Sequence, residues 1–302
     1  MSSPSLRPQS DTIRQAIITV AGRATRLLPA TKQQPKSMLP LFCLGTSGDI
    51  VLMPILQRIF EQLFDHGARE FYFIVGKSKR AVQDHFGPDS EYVQYLNYHD
   101  KEILGLQLED LYKKVSDSFL IWVNQPEPKG FGDAVLRAEG LIGNEPFLVV
   151  AGDTYVISEK GIIHRLFRAH LNSKASATLT LKQVSDPRRF GVADVHDNGD
   201  GTFFVHRVVE KPAKPTSNLA IMAIYAFDTH IMEALKAVPP GQGGEIQLTD
   251  GIQKLIESGR TVQAIKMDAT DHVLDIGTPE SYWEALEFSY HYYRSRSKHQ
   301  EK

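Results

Sequence analysis

The sequence predicts an α/β fold: a Rossmann-like, mixed and mostly parallel central sheet flanked by helices, with a smaller β-rich lobe from the second half. Three observations carry that expectation. Apolar β-rich runs alternate with helix-period segments through the first half, as in parallel strands joined by helical crossovers. From about residue 173 onward, strand-length runs and tight turns replace that rhythm. The chain has 302 residues, 42% hydrophobic and 23% charged, which is ordinary globular composition and long enough for a large core without disulfides or structural metal.

In chain order, the expected strands of the first half are 15–20, 70–75, 119–123 and 146–151, with helices at 53–66, 78–85 and 130–140. Leu56, Ile59, Phe60 and Leu63 fall at helical spacing and give the first helix one apolar face. Residues 90–117 break the alternation. They are charged and helical in pattern, with Tyr92, Leu96, Ile103, Leu106, Leu108 and Leu111 at intervals, and read as a helical insertion at the sheet's edge. In the second half 175–184, 190–195, 202–209 and 218–227 read as strands, and Asp197-Asn198-Gly199-Asp200-Gly201 as a turn between two of them. Helices return at 229–236, 248–258 and 279–293. With no internal repeat, low-complexity tract or long linker, the expectation is a single domain over 1–302, in halves 1–172 and 173–302.

Composition excludes several function classes. The 34 Lys and Arg against 36 Asp and Glu leave a formal charge of −2, so no strongly basic body is available for nucleic acid. The single cysteine, Cys43, excludes an intramolecular disulfide framework and a Cys-rich zinc site, and reads as a small buried or half-buried thiol. No apolar run reaches the about 20 residues of a membrane-spanning helix. Residues 1–8 are polar and lack the apolar stretch of a secretory signal, so a frayed terminus and a cytoplasmic protein without a membrane partner are expected. The polar, basic tail 294–302 reads as a solvated end.

The first strand runs into Ala21-Gly22-Arg23-Ala24-Thr25-Arg26. Small residues at the carboxyl end of a parallel strand let backbone N–H groups approach a phosphate, and Arg26 adds a guanidinium for its oxygens. Lys36 offers a second cation on a loop stiffened by Pro35 and Pro40. The dinucleotide fingerprint G-x-G-x-x-G is absent, and so is the G-K-[ST] of a P-loop. Small residues after a strand are more often a plain turn; the loop, two cations and two prolines together are far more specific. Further on, the apolar run 148–151 ends in Gly152-Asp153, where a carboxylate serves either as a ligand group or as the N-cap of a helix near Ser158.

Residues 20–40 resemble the signature loop of the sugar-1-phosphate nucleotidylyltransferases. Leu28-Pro29-Ala30-Thr31-Lys32 followed by Pro35-Lys36-Ser37-Met38-Leu39-Pro40 is most similar to their prokaryotic-type uridylyltransferase branch, and the resemblance continues in order from about residue 15 to 286. It implies the nucleotide-diphospho-sugar transferase fold, with 1–172 as the nucleotide-binding half and 173–302 as the sugar-phosphate-binding half. Residues 124–135 resemble the base-binding strand and helix start, which implies that Gln125 and the Gly130 backbone read a pyrimidine edge. An amide side chain matches an imide's donor and acceptor face, although Gln125 alone would read as a strand-end polar residue. The resemblance assigns Ala21, Gly22, Thr25, Arg26 and Lys36 to the nucleotide. Asp153, with Asp275 of Val273-Leu274-Asp275-Ile276-Gly277, it assigns to Mg²⁺, whose preference for hard oxygen ligands they suit. Phe190-Gly191-Val192 and Val209-Glu210-Lys211-Pro212 resemble the sugar side: Gly191 and Glu210 meet the sugar and Lys211 its phosphate. A surface Glu-Lys pair is the bland alternative. Adjacent strand residues reach one ligand only at a strand end, which Pro212 supplies. Glu245–Asp250 resembles a helix-start motif in which Thr249 and Asp250 are either caps or catalytic groups.

Three positions depart from the family pattern. Ala24 replaces a glycine, tolerable only if its φ stays negative. Ala223 and Ile224 stand where a sugar-contacting glycine and an arginine are usual. Residues 41–53 are longer and more irregular than the family's short turn.

The implied reaction is UTP + α-D-glucose 1-phosphate → UDP-glucose + diphosphate, with Arg26, Lys36, Lys211 and Asp153 as the groups that carry it and Mg²⁺ as cofactor. The partners implied are UTP, a sugar 1-phosphate and further copies of the chain, as a dimer or tetramer. Alternatives are the same chemistry with dTTP, galactose 1-phosphate or an N-acetylhexosamine 1-phosphate, and a non-catalytic sugar-nucleotide-binding regulatory subunit. A dinucleotide oxidoreductase is weakest for want of its glycine fingerprint.

Overall fold

A computed structural model describes residues 12–77 and 80–297. The polar leader 1–8, the first two residues of the helix expected at 78–85, and the end of the tail, 298–302, lie outside the described residues.

The first strand, β1 (Gln15–Val20), is followed by single turns of 3-10 helix at Thr25–Leu27 and Lys36–Met38. The irregular stretch 41–53 is an antiparallel hairpin, β2 (Pro40–Leu44) with β3 (Ile50–Pro54). There follow α1 (Ile55–Asp65), β4 (Glu70–Val75), α2 (Arg80–Phe86), α3 (Ser90–Tyr98), α4 (Glu102–Ser116), β5 (Phe119–Asn124), α5 (Phe131–Leu136), β6 (Phe147–Ala151), β7 (Thr154–Ile157) and α6 (Ile162–Leu171). The second half comprises β8 (Ala177–Gln183), β9 (Gly191–Asp197), β10 (Thr202–Glu210), β11 (Leu219–Phe227), α7 (His230–Lys236), α8 (Leu248–Glu257), β12 (Val262–Lys266), β13 (His272–Asp275) and α9 (Pro279–Arg294). The expected helix at 130–140 is shorter than its pattern, because residues after Leu136 relax into turns.

Among the described residues, nine strands form one sheet in the order β5-β4-β1-β6-β11-β8-β12-β10-β9. The four first-half strands of this sheet, β5, β4, β1 and β6, pair in parallel, and β11 then joins β6 antiparallel, so both halves share one sheet. Only β12 with β8 is parallel in the rest. Side chains alternate faces along each strand: on β1, Ile18 and Val20 enter one apolar layer and Ile17 the other, as a sheet covered on both sides requires. The apolar face of α1 buries Leu56, Ile59, Phe60 and Leu63 against the first layer, each worth about 1.5–3 kcal/mol of transfer free energy.

The segment before β5 is helical as expected: α3 and α4 form a hairpin whose α4 leads into the edge strand. Cys43 is buried on β2, where burial pushes its thiol up to about 11 and leaves it unreactive near neutral pH. No helix among the described residues is long and apolar enough to cross a membrane.

Candidate active site

The carboxyl ends of β5, β4, β1 and β6 lie side by side, the edge where parallel sheets bind ligands. Strand order then fixes the layout. Gln125 follows β5, Asp153 follows β6, and the loop after β1 lies between them. Glycine makes the last junction possible. A Cβ on Gly152 would sit 2.4 Å from Val20 Cγ1 and 2.9 Å from the Thr19 carbonyl, so only glycine lets the end of β6 close against β1 and bring Asp153 beside the loop.

Gln125 is 4% exposed, and its amide nitrogen donates to Asp133 Oδ2 at 2.7 Å and to the Gly130 carbonyl at 3.2 Å. Arg137 pairs with Asp133 Oδ1 at 2.8 Å. With both amide hydrogens committed, the side-chain oxygen is the group left to accept from a ligand, suited to an imide N–H. Gly130 has φ +101°, and a Cβ there would lie 2.5 Å from the Ile246 carbonyl. Its glycine requirement therefore comes from the second half of the chain. Ile246 N–H donates to the Lys129 carbonyl and Gly132 N–H to the Ile246 carbonyl, each at 2.8 Å.

At the other end, Asp153 stands between β6 and β7. The helix-cap alternative fails there, because β7 intervenes before α6, and the side chain that caps toward α6 is Ser158, accepting from Ile162 N–H at 3.0 Å. Since β7 pairs with β13, Asp275 lies opposite Thr154, and Ile276 N–H donates to the Asp153 carbonyl at 3.4 Å. The Lys36 ammonium pairs with Asp153 Oδ2. Burial, then the neighbouring Asp153 charge, pushes the Asp275 carboxyl above its ordinary value, against the pull of Lys36 and Arg26.

From the second half, β10 ends at Glu210, and Lys211 turns into a left-handed conformation (φ 41°). The turn frees both side chains from strand alternation: Lys211 Nζ meets Glu210 Oε1 at 3.0 Å. The other carboxylate oxygen accepts from Thr249 Oγ1 at 2.7 Å. Thr249 is thus not a helix cap; it holds Glu210. A Cβ on Gly191 would lie 2.8 Å from Thr249 Oγ1 and 3.2 Å from Glu210 Oε2, so Gly191 packs behind this pair.

One cleft of about 760 Å³ is lined by Ala21, Gly22, Thr25, Arg26, Lys36, Gln125, Gly130, Asp153, Glu210 and Lys211 together. Asp275 adjoins it through Asp153, and Gly191 through Glu210. Ala223 is not among the lining residues: it sits at a register shift of β11 between Met222 and Tyr225, half-buried against an apolar layer. Ala24 has φ 52°, against the expectation of a negative angle. Thr31 Oγ1 and Leu27 N–H both donate to its carbonyl, at 2.8 and 3.1 Å, and hold it there. Sequence reasoning passed over Arg23, Ser37, Phe131, Glu245 and Gln247, which also line the cleft. Arg23 stands inside the loop already singled out, so its charge was a legible signal.

The chain belongs to the nucleotidyl transferase family, which it matches over residues 15–291. It is 39% identical over 252 residues to the UTP–glucose-1-phosphate uridylyltransferase of Bacillus subtilis, covering 82% of each chain. To that of Pseudomonas aeruginosa it is 32% identical over 289 residues, covering 94% of this chain and 98% of the relative. A crystal structure of UDP-glucose pyrophosphorylase complexed with UDP-glucose superposes with a TM-score of 0.79 at 27% identity, covering 94% of this chain and all of that one.

The family generally works with a divalent metal. Among the described residues no group of three or more His, Cys, Asp or Glu is placed to hold a metal ion. The protein's offer is the Asp153–Asp275 pair. Two carboxylates close enough for one to raise the other are hard oxygen donors, which fits a divalent cation completed by phosphate oxygens and water.

Proposed function

We propose that this protein is a UTP–glucose-1-phosphate uridylyltransferase, joining UTP and α-D-glucose 1-phosphate into UDP-glucose with release of diphosphate. The observation that carries the reading is that Gln125, Lys36 and Asp153 of the first half and Glu210 and Lys211 of the second line one cleft. The curated relatives named for this activity support it.

The chemistry asks little of the protein beyond position and charge. An oxygen of the sugar phosphate attacks the α-phosphorus in line; a new P–O bond forms as the bond to diphosphate breaks. The nucleophile is already anionic, so no general base is needed. Two anions must approach, and the cleft answers with cations from both halves. Gln125 and the Gly130 backbone hold the uracil. Ala21, Gly22, Thr25, Arg26 and Lys36 hold the triphosphate. Lys211 receives the sugar phosphate and Glu210 the sugar, with Gly191 packed behind Glu210, while Ala223, outside the cleft lining, takes no direct part. Asp153 and Asp275 hold Mg²⁺, which when bound neutralises charge on the phosphoryl oxygens.

The reading includes one domain over 1–302, with its halves meeting at residue 172, a cytoplasmic setting, and a homodimer or homotetramer. Light scattering on the purified protein tests the last. Diphosphate release over a panel of UTP, dTTP, glucose 1-phosphate, galactose 1-phosphate and N-acetylglucosamine 1-phosphate tests the function. UTP with glucose 1-phosphate is expected to give the highest kcat/KM, and no turnover with any pair would contradict the reading.

A further inference from the structure

Among the described residues four cations line the cleft: Arg23, Arg26, Lys36 and Lys211. Three already face a carboxylate. Lys36 pairs with Asp153, Lys211 with Glu210, and Arg26 lies near enough to Asp275 to oppose the rise of its pKa. Arg23 is exposed, and among the described residues its guanidinium has no hydrogen-bond or ion-pair partner. Among the described cations of the cleft, its charge is the one not spent on a carboxylate of the protein.

Its setting is built. Gly22 before it has open space on its side-chain side. Ala24 after it is held in a left-handed conformation by Thr31 and Leu27. A non-glycine residue in that region persists only where its surroundings over-determine it. The loop therefore presents Arg23 from a turned, pinned backbone, which lowers the ordering cost of binding. A guanidinium so presented suits bidentate pairing with phosphoryl oxygens.

Which phosphoryl groups it meets follows from the direction of the reaction. In-line displacement sends the leaving diphosphate away from the incoming sugar phosphate. Lys211 and Glu210 bring that phosphate from the second half, so the leaving group points back to the loop after β1, which carries Arg23. We propose that Arg23 binds the β- and γ-phosphoryl groups of the nucleoside triphosphate and the diphosphate they become. The proposal rests on the reaction assigned above and adds a residue to it.

Calorimetric titrations of wild type, Arg23→Ala and Arg23→Lys with UTP, inorganic diphosphate and UDP-glucose, each with Mg²⁺, test it. Arg23→Ala is expected to weaken UTP and diphosphate about tenfold and leave UDP-glucose, which lacks the leaving group, within about twofold, while Arg23→Lys recovers part of the loss. Unchanged binding of UTP and diphosphate would overturn the assignment. So would an equal loss for UDP-glucose, which would make Arg23 a general support of the loop. Wild-type protein that binds diphosphate through Arg23 yet makes no UDP-glucose would count against the reaction and not against Arg23; wild type that binds neither UTP nor diphosphate would overturn both.

Discussion

Lys36 sets its ammonium against the carboxylate of Asp153, so the loop after β1 and the end of β6 are joined by an ion pair in the lining of the cleft. Both side chains are only about one-fifth exposed, 21% and 22%. The pair holds in place the two groups to which the proposed function gives separate tasks, a cation for the triphosphate and an oxygen ligand for the metal. It also leaves the neighbouring Asp275 with less compensation than Asp153 enjoys.

That imbalance gives a stability prediction for the metal-free protein. The Asp275 carboxyl is raised chiefly by burial and then by Asp153. The native state therefore keeps a proton that the unfolded chain has already released, and ionising Asp275 costs stability as pH climbs through and beyond the ordinary carboxylate range. Asp275→Asn should melt about 2–4 °C higher than wild type near pH 7. The gain should fade below the ordinary carboxylate range, where both forms are neutral. Its kcat/KM should fall by at least about tenfold for want of a metal ligand. Differential scanning calorimetry across pH reads the first effect, and a lower melting temperature for the variant at pH 7 would contradict it.

Thr249 donates to Glu210 Oε2 while Lys211 takes Oε1, so the hydroxyl aims the carboxylate. Thr249→Val should raise KM for glucose 1-phosphate about five- to tenfold with KM for UTP within about twofold, and Thr249→Ser should restore it. Equal changes in both KM values would point to general disruption of α8.

Ala24 stands at φ 52°, where a methyl is strained. Ala24→Gly is expected to stabilise the fold by up to about 1 kcal/mol, read as a higher denaturant midpoint at unchanged slope. At the same time, a looser loop should weaken UTP binding. A lower midpoint would mean that the surroundings favour the methyl.

Gly130 is the opposite case. Adding a Cβ at φ +101°, 2.5 Å from the Ile246 carbonyl, forces the loop at Gly130 off the second half. Gly130→Ala should cost roughly 1–3 kcal/mol of stability and raise KM for UTP more than KM for glucose 1-phosphate. Wild-type affinity for UTP in this variant would show that the loop is not clamped by Ile246.

The parallel strands and the charged groups of the cleft were legible in the sequence because their signals are local. β1, β4, β5 and β6 are apolar runs bounded by turns, and Lys36, Asp153 and Glu210 lie in contiguous motifs. What escaped depends on distant partners. β7 and β13 are four residues each and exist through one another, so neither shows a pattern of its own. The β2–β3 hairpin and β12 likewise take their strand character from pairing. The left-handed turn at Ala24 runs against its residue type and is imposed by hydrogen bonds from Thr31 and Leu27. The role of Thr249 needed the proximity of α8 to the end of β10, which helix-start patterning does not encode.

The most direct test of the central claim, that one cleft joins the cations and carboxylates of both halves for uridylyl transfer, is kcat/KM for UDP-glucose formation in Lys36→Ala and Asp153→Asn beside wild type. Each variant is expected to lose at least about a hundredfold, with melting temperatures within a few degrees of wild type, about 3 kcal/mol or more of transition-state stabilisation removed without loss of fold. Near-normal turnover in both folded variants would contradict the account.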